Sequence, residues 1–470
     1  MKLDEIVWEK DIYPRQNKSQ KTIDSYVEAL GLGAIFPPVE VQRVSNYSSN
    51  GESPHDAILI TDGVHRWSAY QEAKAETIEV IEWQPGISLD YPTQKFDLKL
   101  RGAEKNLEHG DRLKGDDKMA LAREIAEADP GKRYTEEMIA KKLGVAQNTV
   151  GKWVEDIRAS QTANRDSIIH RLVRLGWIQE EIADKTGIDR SRVSQIVNFS
   201  NIAKINNFFY EDKKPPHWIA EHFGLDLLTT WSYILDGQSD AKRFELFGLG
   251  SIQPYDVWTF QGVHQFLGGQ HPGRIPGQLI AHVMYFFTQP NDIVIDPMVG
   301  GGTTLDVALV MGRRCYGYDI DHRHNRPDII HHDMLQDGWP DRLKKADLIF
   351  WDPPYYRKKD DQYIEGSISK LPRPDYLNFF TKALEEAREV VNKKTKLAFL
   401  MSDWDDNTNK EDGIFIWDYA DILRKSGWKL TRQIQCPLTT QQVHPDIILK
   451  FRESRRLARL ERYLIMAVPQ

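Results

Sequence analysis

DIVIDPMVGGGTT (residues 292–304) and DLIFWDPPYY (residues 347–356) enclose the window of sequence that decides the fold of this chain. Two further pieces lie between them, CYGYDID at 315–321 and HHDM at 331–334. Each piece is an apolar run that ends in an acidic residue or a Gly/Pro turn, which is the pattern of buried parallel strands. Ligands of open α/β sheets bind at the carboxyl edge of such strands. We therefore expect the acidic residues of this window to meet in one site.

Bulk composition sets the class of protein. The 470 residues are 40% hydrophobic and 28% charged, which predicts a soluble globular chain of about two to four domains. A net charge of −7 means that any nucleic-acid surface must be a local patch. The two cysteines, Cys315 and Cys436, have no metal-like spacing, so reduced thiols in a cytosolic protein are expected. Neither a signal peptide nor a membrane span is predicted.

The glycine-rich loop after the first strand of the window favours a ligand without phosphate groups. Pro297 stops the strand at Asp296, and the glycines at 300–302 let the backbone pass close to a ligand. Thr303 and Thr304 then begin a helix. The loop contains no Lys or Arg, and it has neither the Walker phosphate pattern nor the dinucleotide spacing.

The acidic residues that follow fit the other parts of such a ligand. Asp319, at the end of the second strand, suits a ribose diol, and Asp333, after the third strand, suits an adenine amino group. A ligand with ribose, adenine and no phosphate is S-adenosylmethionine. Asp352 can then accept a hydrogen bond from an exocyclic amino group, Pro354 leaves a backbone carbonyl free, and Tyr355 offers a ring for base stacking. Methylation of an amino nitrogen needs orientation and loss of a proton rather than a covalent nucleophile.

Three motifs in register resemble an enzyme family. HP-x-x-x-P-x-x-L (271–279), DP-x-x-G-x-GTT (296–304) and DPPY (352–355) resemble motifs X, I and IV of the DNA methyltransferases that act on adenine N6 or cytosine N4. The resemblance implies a flipped target base, S-adenosylmethionine as cofactor, and a Rossmann-like α/β methyltransferase domain with a mostly parallel sheet. It implies catalytic roles for Asp352, Pro353, Pro354 and Tyr355, and cofactor binding by Asp296, Pro297, Met298, Gly300, Gly302, Thr303, Thr304, Asp319 and Asp333.

Departures from the family pattern carry information. The motif order is X, I, IV, whereas many relatives place DPPY first, and Met298 stands where Phe is commoner. Only about twenty residues separate Asp333 from Asp352, so no target-recognition insert fits there, and the first half of the chain becomes the natural specificity module. Asp before Pro353 favours adenine over cytosine. The alternatives are a cytosine-N4 DNA methyltransferase, an RNA methyltransferase, and a regulatory DNA-binding protein with a vestigial methyltransferase half.

The N-terminal segment contains a strand–turn–helix joint, TDGVHRWSAY (61–70). Free N–H groups and a guanidinium at such a joint suit an anion, although a plain joint with a surface Arg is the alternative. Together with YPR (13–15) and PPVEV (37–41), it resembles the ParB/sulfiredoxin-like family, a small α+β domain. The resemblance implies a CTP or ATP site with Mg and a homodimer contact, without sulfiredoxin chemistry or nucleotide hydrolysis. Its candidate nucleotide residues are Asp62, Gly63, His65, Arg66, Asn106 and His109.

Three helix-turn-helix patterns follow at residues 134–154, 177–197 and 215–235. Each has apolar residues at helical spacing around a turn glycine. The first two begin their second helix with exposed polar groups that can read base edges in double-stranded DNA, and the third is the weakest reader. Helical hairpins that serve only as spacers are the alternative. The candidate DNA-binding residues are Gln147, Asn148, Thr149, Lys152, Arg190, Ser191 and Arg192.

These patterns predict four segments: a ParB-like domain (1–100), a helical region with the first helix-turn-helix (101–160), an all-α array of two further units (161–240) and the methyltransferase domain (241–470). We expect a loop over the target base at 357–376, with Arg357, Lys358 and Lys359 near phosphates. The basic run at 450–463 would grip a phosphate backbone or form a solvated edge. No metal ligands are predicted in the methyltransferase half. A cytoplasmic protein of bacterial, archaeal or phage origin is expected.

Overall fold

The structure of the chain is a computed structural model, and it divides into two compact units, Met1–Thr162 and Ala163–Gln470. The predicted four-segment division stays a prediction. Among the described residues, no helix combines the length and apolar character needed to cross a membrane. The described residues are 1–470 without 16–17, 50–52, 109–112, 132, 198–199, 270–272, 322, 324, 359–361, 405–412, 438–443, 456 and 458–459.

Unit 1 contains a small mixed sheet with the strand order β2-β1-β3, and β4 also pairs with β1. The β1–β2 pairing is antiparallel, and the pairings of β1 with β3 and β4 are parallel. Val39, Val41 and Ile60 of the sheet pack with Trp67 of the helix that follows β2. The strand–turn–helix joint predicted at 61–70 is present, with one strand ending at Asp62 and a helix beginning at Val64. The strands are β1 (Val39–Tyr47), β2 (His55–Asp62), β3 (Val80–Glu82) and β4 (Leu89–Asp90).

The helices of unit 1 fall into two sets. α1 and α2 accompany the small sheet, whereas the later helices have their own apolar core, formed by Leu121, Ile139, Leu143, Val150 and Val154 among others. Four of these residues belong to the first helix-turn-helix pattern (134–154), whereas Met138 of the same pattern is exposed. The helices are α1 (Gln20–Gly31), α2 (Val64–Glu72), α3 (Tyr91–Glu108), α4 (Gly115–Ala128), α5 (Glu136–Leu143) and α6 (Gln147–Arg174), the last of which contains the unit boundary.

Unit 2 is built on a seven-stranded sheet with the order β10-β11-β9-β8-β5-β6-β7. The pairings among β5 to β9 are parallel, and β11 runs antiparallel to β9 and β10. From β5 the chain order proceeds towards β7 on one side and through β8 to β9 on the other, so the topological switch point lies between β5 and β8. The strands are β5 (Ile293–Asp296), β6 (Arg314–Asp319), β7 (Ile329–His331), β8 (Leu348–Trp351), β9 (Lys396–Met401), β10 (Trp428–Gln435) and β11 (Tyr463–Pro469).

Helices cover this sheet, and the predicted α/β architecture with a mostly parallel sheet is confirmed. Ile169, Leu172 and Ile182 of the preceding helical segment belong to the same hydrophobic core as the sheet. The helices are α7 (Gln179–Thr186), α8 (Arg190–Ile196), α9 (Ser200–Tyr210), α10 (Pro216–Phe223), α11 (Leu227–Ile234), α12 (Asp240–Phe247), α13 (Gly277–Phe287), α14 (Thr303–Met311), α15 (Arg373–Val390), α16 (Ile416–Lys425) and α17 (Pro445–Glu453).

The second helix of the third predicted helix-turn-helix, α11, is not a surface helix. Thr229 and Thr230, the polar residues in the first turn of this helix, are fully buried. Thr229 donates from its backbone N–H and its hydroxyl to the capping carboxylate of Asp226, at 2.9 and 2.5 Å. The apolar residues of this helix pack inwards, so it serves as a structural element and cannot read a groove.

Candidate active site

One cavity of about 410 Å³ lies at the switch point of the large sheet. Its walls include the loop after β5, the residues that follow β6 and β7, and the DPPY segment after β8. Parallel strands end at a common edge, which explains why residues far apart in sequence meet here. The predicted cofactor and catalytic residues line this cavity except Gly302. They are Asp296, Pro297, Met298, Gly300, Thr303, Thr304, Asp319, Asp333, Asp352, Pro353, Pro354 and Tyr355.

Asp296 holds the start of the glycine-rich loop in place. Its Oδ1 accepts from the backbone N–H of Met298 at 3.1 Å, and its Oδ2 accepts from the hydroxyl of Thr304 at 2.5 Å. Burial raises the pKa of Asp296 to about 8, against the effect of these two hydrogen bonds. The residue therefore ties the strand end to the first turn of α14.

Asp319 fixes the middle of the same loop. Its Oδ2 accepts from the backbone N–H of Gly300 at 2.7 Å, and its Oδ1 accepts from the backbone N–H of Asp321 at 2.8 Å. The carboxylate is 9% exposed and borders the cavity. These two hydrogen bonds hold the carboxylate at the end of β6, where the sequence predicted a ribose contact, and they also fix the loop. Asp333, two residues after β7, accepts from the backbone N–H of Leu335 at 2.9 Å.

Gly302 does not border the cavity, in contrast to the prediction that it touches the cofactor. It begins α14 with a positive φ of +82°, and a Cβ added there would lie 2.4 Å from the Cζ of Arg326. A side chain larger than hydrogen would therefore displace the guanidinium. The need for glycine at this position comes from a neighbouring arginine and from the backbone turn.

Arg326 secures the loop from outside the cavity. Its Nη1 donates to the carbonyl of Gly301 at 2.9 Å, its Nη2 to Asp306 at 2.8 Å and its Nε to Asp328 at 3.0 Å. Arg171 of α6 contacts the same two carboxylates, through an ion pair with Asp306 and a 2.7 Å hydrogen bond to Asp328. Sequence reasoning missed this network because its members are spread over distant segments.

The DPPY segment presents one carboxylate with an open oxygen. Oδ1 of Asp352 accepts from the hydroxyl of Tyr355 at 2.7 Å. Its Oδ2 accepts no hydrogen bond within the part of the chain that the structure describes. Burial raises the pKa of Asp352 to about 6, whereas the Tyr355 hydrogen bond and the charges of Arg462 and Lys358 act in the opposite direction.

The carbonyl expected to be free at Pro354 is already engaged. The hydroxyl of Tyr376, on α15, donates to Pro354 O at 3.2 Å. Tyr376 is fully buried, so this hydrogen bond orients the segment from the protein interior. This carbonyl therefore has one donor inside the fold, and its second lone pair is left for a ligand, so the predicted role of the Pro354 region stays a prediction.

Several cavity residues were not among the predicted cofactor-binding or catalytic residues. Lys358, Tyr363 and Ser367 line the cavity from the loop expected over the target base, while Lys359 lies outside the described residues. Arg462, from the basic run before the last strand, also lines it and is only 5% exposed. The useful signal for Arg462 was topological. A final antiparallel strand starts at the edge where the parallel strands end.

The predicted nucleotide box of unit 1 is engaged with its own residues. Arg66 donates to the carbonyls of Pro37 and Pro38 at 2.7 and 3.0 Å and pairs with Asp62 at 2.9 Å. Gly63 directly precedes α2 and has a φ of +88°. A Cβ added to it would lie 2.8 Å from Nη2 of Arg66. His65 Nε2 accepts from the backbone N–H of Ser19 at 2.9 Å.

The second part of the predicted nucleotide site lies on α3. The carbonyl of Asn106 accepts from Arg15 at 2.7 Å, and its amide donates to Gly102 O at 2.6 Å. Gly102 packs close to Thr61 O and Pro14, so the YPR segment, the box and α3 converge. His109 lies outside the described residues.

The predicted DNA-binding residues occupy two separate helix starts. Gln147, Asn148 and Lys152 are exposed near the start of α6, and Thr149 is half-buried. Arg190, Ser191 and Arg192 are exposed at the start of α8, which Asp189 caps by accepting from the backbone N–H of Arg192 at 2.9 Å. These positions are therefore accessible, in contrast to Thr229 and Thr230.

Residues 158–329 match a family model described as DNA methylase. The methyltransferase part of the resemblance is confirmed, although this match ends before Asp352. The chain is 40% identical over 84 residues to the Type II methyltransferase M.BglII of Bacillus subtilis, which is 17% of this chain and 23% of that protein. It is 27% identical over 162 residues to the Type II methyltransferase M.HpaI of Haemophilus parainfluenzae, 31% and 50% of the two chains.

A third relative is the DNA adenine methyltransferase YhdJ of Escherichia coli (strain K12), 34% identical over 70 residues, 14% of this chain and 24% of that one. The chain thus spans about a quarter to a half of the length of these curated relatives. Among solved structures, a truncated ParB from Caulobacter crescentus complexed to the centromeric parS site covers 47% of this chain and 96% of its own, at 15% identity and a TM-score of 0.22. A score this low establishes no shared fold.

Proposed function

We propose that the chain transfers a methyl group from S-adenosylmethionine to an exocyclic amino group of DNA, with adenine N6 as the target. The observation that supports this most is the single cavity shared by the glycine-rich loop and the DPPY segment. A small ligand held by the loop and a base held by Asp352 would meet inside it. The sequence similarity to DNA methylases over residues 158–329 points to the same chemistry.

The cavity fits the proposed cofactor in size and charge. Its volume of about 410 Å³ is within the range of small-molecule sites. The loop at 296–304 has no Lys or Arg, while Asp319 and Asp333 offer carboxylates for hydroxyl and amino donors. When bound, S-adenosylmethionine supplies a methyl group on a positively charged sulfonium. The proposed roles of the loop residues are to position that ligand and to exclude water.

Asp352 is proposed to orient the target amino group. Its Oδ2 can accept one N–H of the amino group, which turns the nitrogen lone pair towards the methyl carbon. The amino nitrogen would then take the methyl group while the sulfonium leaves as a neutral thioether, and Oδ2 of Asp352 would accept the proton that the nitrogen loses. A carboxyl with a pKa of about 6 is ionised at neutral pH and so can accept this hydrogen bond.

For DNA binding we propose the starts of α6 and α8. Their exposed Gln, Asn, Ser and Arg side chains are the types that contact base edges and phosphates. The buried start of α11 is left out of this proposal. A ParB-like unit 1 that tethers the chain to DNA, and its homodimer contact, remain predictions. The predicted CTP or ATP site with Mg is opposed by the three acceptors that Arg66 already has.

Methyl transfer to nucleic acid tests the proposed function. The full chain is incubated with labelled S-adenosylmethionine and with duplex DNA or RNA, and modified bases are mapped by long-read sequencing in an expressing host. We expect label in DNA as N6-methyladenine. Asp352→Ala should lower transfer about 10²- to 10³-fold while cofactor affinity by calorimetry stays unchanged. Asp421→Ala, at an exposed ion pair with Arg424, serves as the matched control. Transfer to RNA alone, or none with intact cofactor binding, would refute the proposal.

A further inference from the structure

Arg462 is a buried arginine beside the candidate active site. It immediately precedes β11, is 5% exposed and lines the cavity together with Asp352. Its Nε donates to the carbonyl of Cys436 at 3.2 Å, and the backbone N–H of Cys436 donates back to Arg462 O at 2.7 Å. Neither Nη1 nor Nη2 has an acceptor among the residues that the structure describes. The side chain is therefore anchored at one nitrogen and open at the other two.

A guanidinium stays charged at all ordinary pH values, and two of its nitrogens here have no acceptor on the described chain. These nitrogens are not among the described buried polar atoms that lack a partner, so a ligand in the cavity can reach them. Asp352 is close enough for the two charges to attract. No carboxylate among the described residues forms an ion pair with Arg462. Up to four N–H donors thus border the cavity with no acceptor on the described chain.

We propose that Arg462 donates to a ring nitrogen of the target base, next to the amino group that Asp352 accepts from. This inference rests on the proposed function. The pair of an acceptor, Asp352, and a donor, Arg462, complements the edge of a base whose amino group is flanked by a ring nitrogen. Adenine offers N6 beside N1 on one edge and N6 beside N7 on the other. Arg462 would thereby help to select an amino base and to fix its rotation in the cavity.

Charge argues against a phosphate as the partner. A phosphate drawn into the cavity would lose its hydration and would face the carboxylate of Asp352, a like charge. A neutral ring nitrogen carries neither penalty. The depth of Arg462 also separates it from the exposed basic residues of the same run, such as Arg455, which are free to contact a DNA backbone.

A cycle of protein and base changes tests the assignment. Duplexes that carry the mapped site contain adenine, 1-deazaadenine or 7-deazaadenine at the target, or 3-deazacytosine if the mapped base is cytosine. We expect one deaza base to lower kcat/KM of the wild-type chain about 10- to 100-fold. Arg462→Met should lose a similar factor on the natural base and no longer discriminate against that deaza base. Arg462→Lys should recover part of the loss, and Arg432→Met, an exposed arginine on β10, should behave as wild type.

The outcomes separate this inference from the proposed function. A wild-type chain that does not methylate the unmodified duplex refutes the proposed function itself. With active wild type, an equal deaza penalty in Arg462→Met and wild type would overturn the base contact. The base contact would also be overturned if Arg462→Met lowered only the affinity for the cofactor. The same holds if a methylphosphonate at the target nucleotide, rather than a deaza base, removed the effect of Arg462→Met. Thermal midpoints and circular dichroism of both variants show whether folding is preserved, and Arg462→Lys keeps the test valid if Arg462→Met does not fold.

Discussion

The β2–α2 joint of unit 1 and the β5–α14 joint of unit 2 are built from the same parts. Each strand ends in an aspartate, Asp62 or Asp296, and each helix begins after a glycine with positive φ, Gly63 at +88° or Gly302 at +82°. In both, an arginine fills the space where the glycine would have a side chain. The local pattern of each joint is therefore compatible with a ligand loop.

The source of the arginine separates the two joints. Arg66 belongs to the joint itself and is engaged by Asp62 and the carbonyls of Pro37 and Pro38. Arg326 comes from the connection between β6 and β7 and bonds Asp306 and Asp328, so the rest of its loop keeps a face on the cavity. A strand–Gly–helix joint is thus a credible ligand site when the arginine beside its glycine comes from another segment and leaves part of the loop facing the cavity.

The β5–α14 joint should lose its ligand when the carboxylate of Asp319, which holds its loop, is removed. Asp319→Ala leaves the backbone N–H groups of Gly300 and Asp321 without their acceptor, and it removes the proposed ribose contact. We expect affinity for S-adenosylmethionine to fall about 10- to 100-fold, from about 1–3 kcal/mol of lost hydrogen bonding. Calorimetry measures the change, with Asp421→Ala as control. Unchanged affinity would place the cofactor away from this loop.

The β2–α2 joint should instead lose stability when its arginine is removed. Arg66→Ala removes three hydrogen bonds, one exposed and two part-buried, so we expect the local stability of α2 to fall by about 1–2 kcal/mol. Hydrogen exchange of α2 amides measures it. Arg43→Ala, at an exposed pair with Glu82, should cost less than about 1 kcal/mol. If Arg66→Ala lowered the affinity for CTP or ATP and left hydrogen exchange of α2 unchanged, the contrast between the two joints would be wrong. The predicted nucleotide site would then be supported.

The catalytic carboxyl predicts how methyl transfer depends on pH. Burial raises the pKa of Asp352 to about 6, and only the ionised form accepts from the target amino group. As pH falls below 6, kcat/KM should drop about tenfold per unit, and it should level off above about 7. Tyr355→Phe removes a hydrogen bond that favours the carboxylate, so the midpoint should move to higher pH. A profile flat from pH 5 to 8 would exclude this role for Asp352.

A structural feature could be predicted from the sequence when the residues that determine it lie close together along the chain. The acidic strand ends near Asp296, Asp319 and Asp352 were located because an apolar run and its terminal carboxylate are adjacent in sequence. Arg462 and Arg326 escaped because their partners lie far away along the chain. The burial of Thr229 was missed for the same reason, since its helix has the pattern of a surface hairpin and only tertiary packing covers it.

The smallest expected effect tests whether the exposed start of α6 binds DNA. Lys152 is exposed in the first turns of that helix, where a single phosphate contact would be electrostatic. Lys152→Ala should weaken DNA affinity by about two- to fivefold and lower the slope of log affinity against log salt by about one. Fluorescence anisotropy across a salt series measures both, with Lys21→Ala on α1 as the matched control. The weakening should be equal for specific and random duplexes, because phosphate contacts carry no sequence information. Identical salt slopes for the two variants would move the DNA contact away from α6 and leave the exposed arginines of α8 as its remaining candidates.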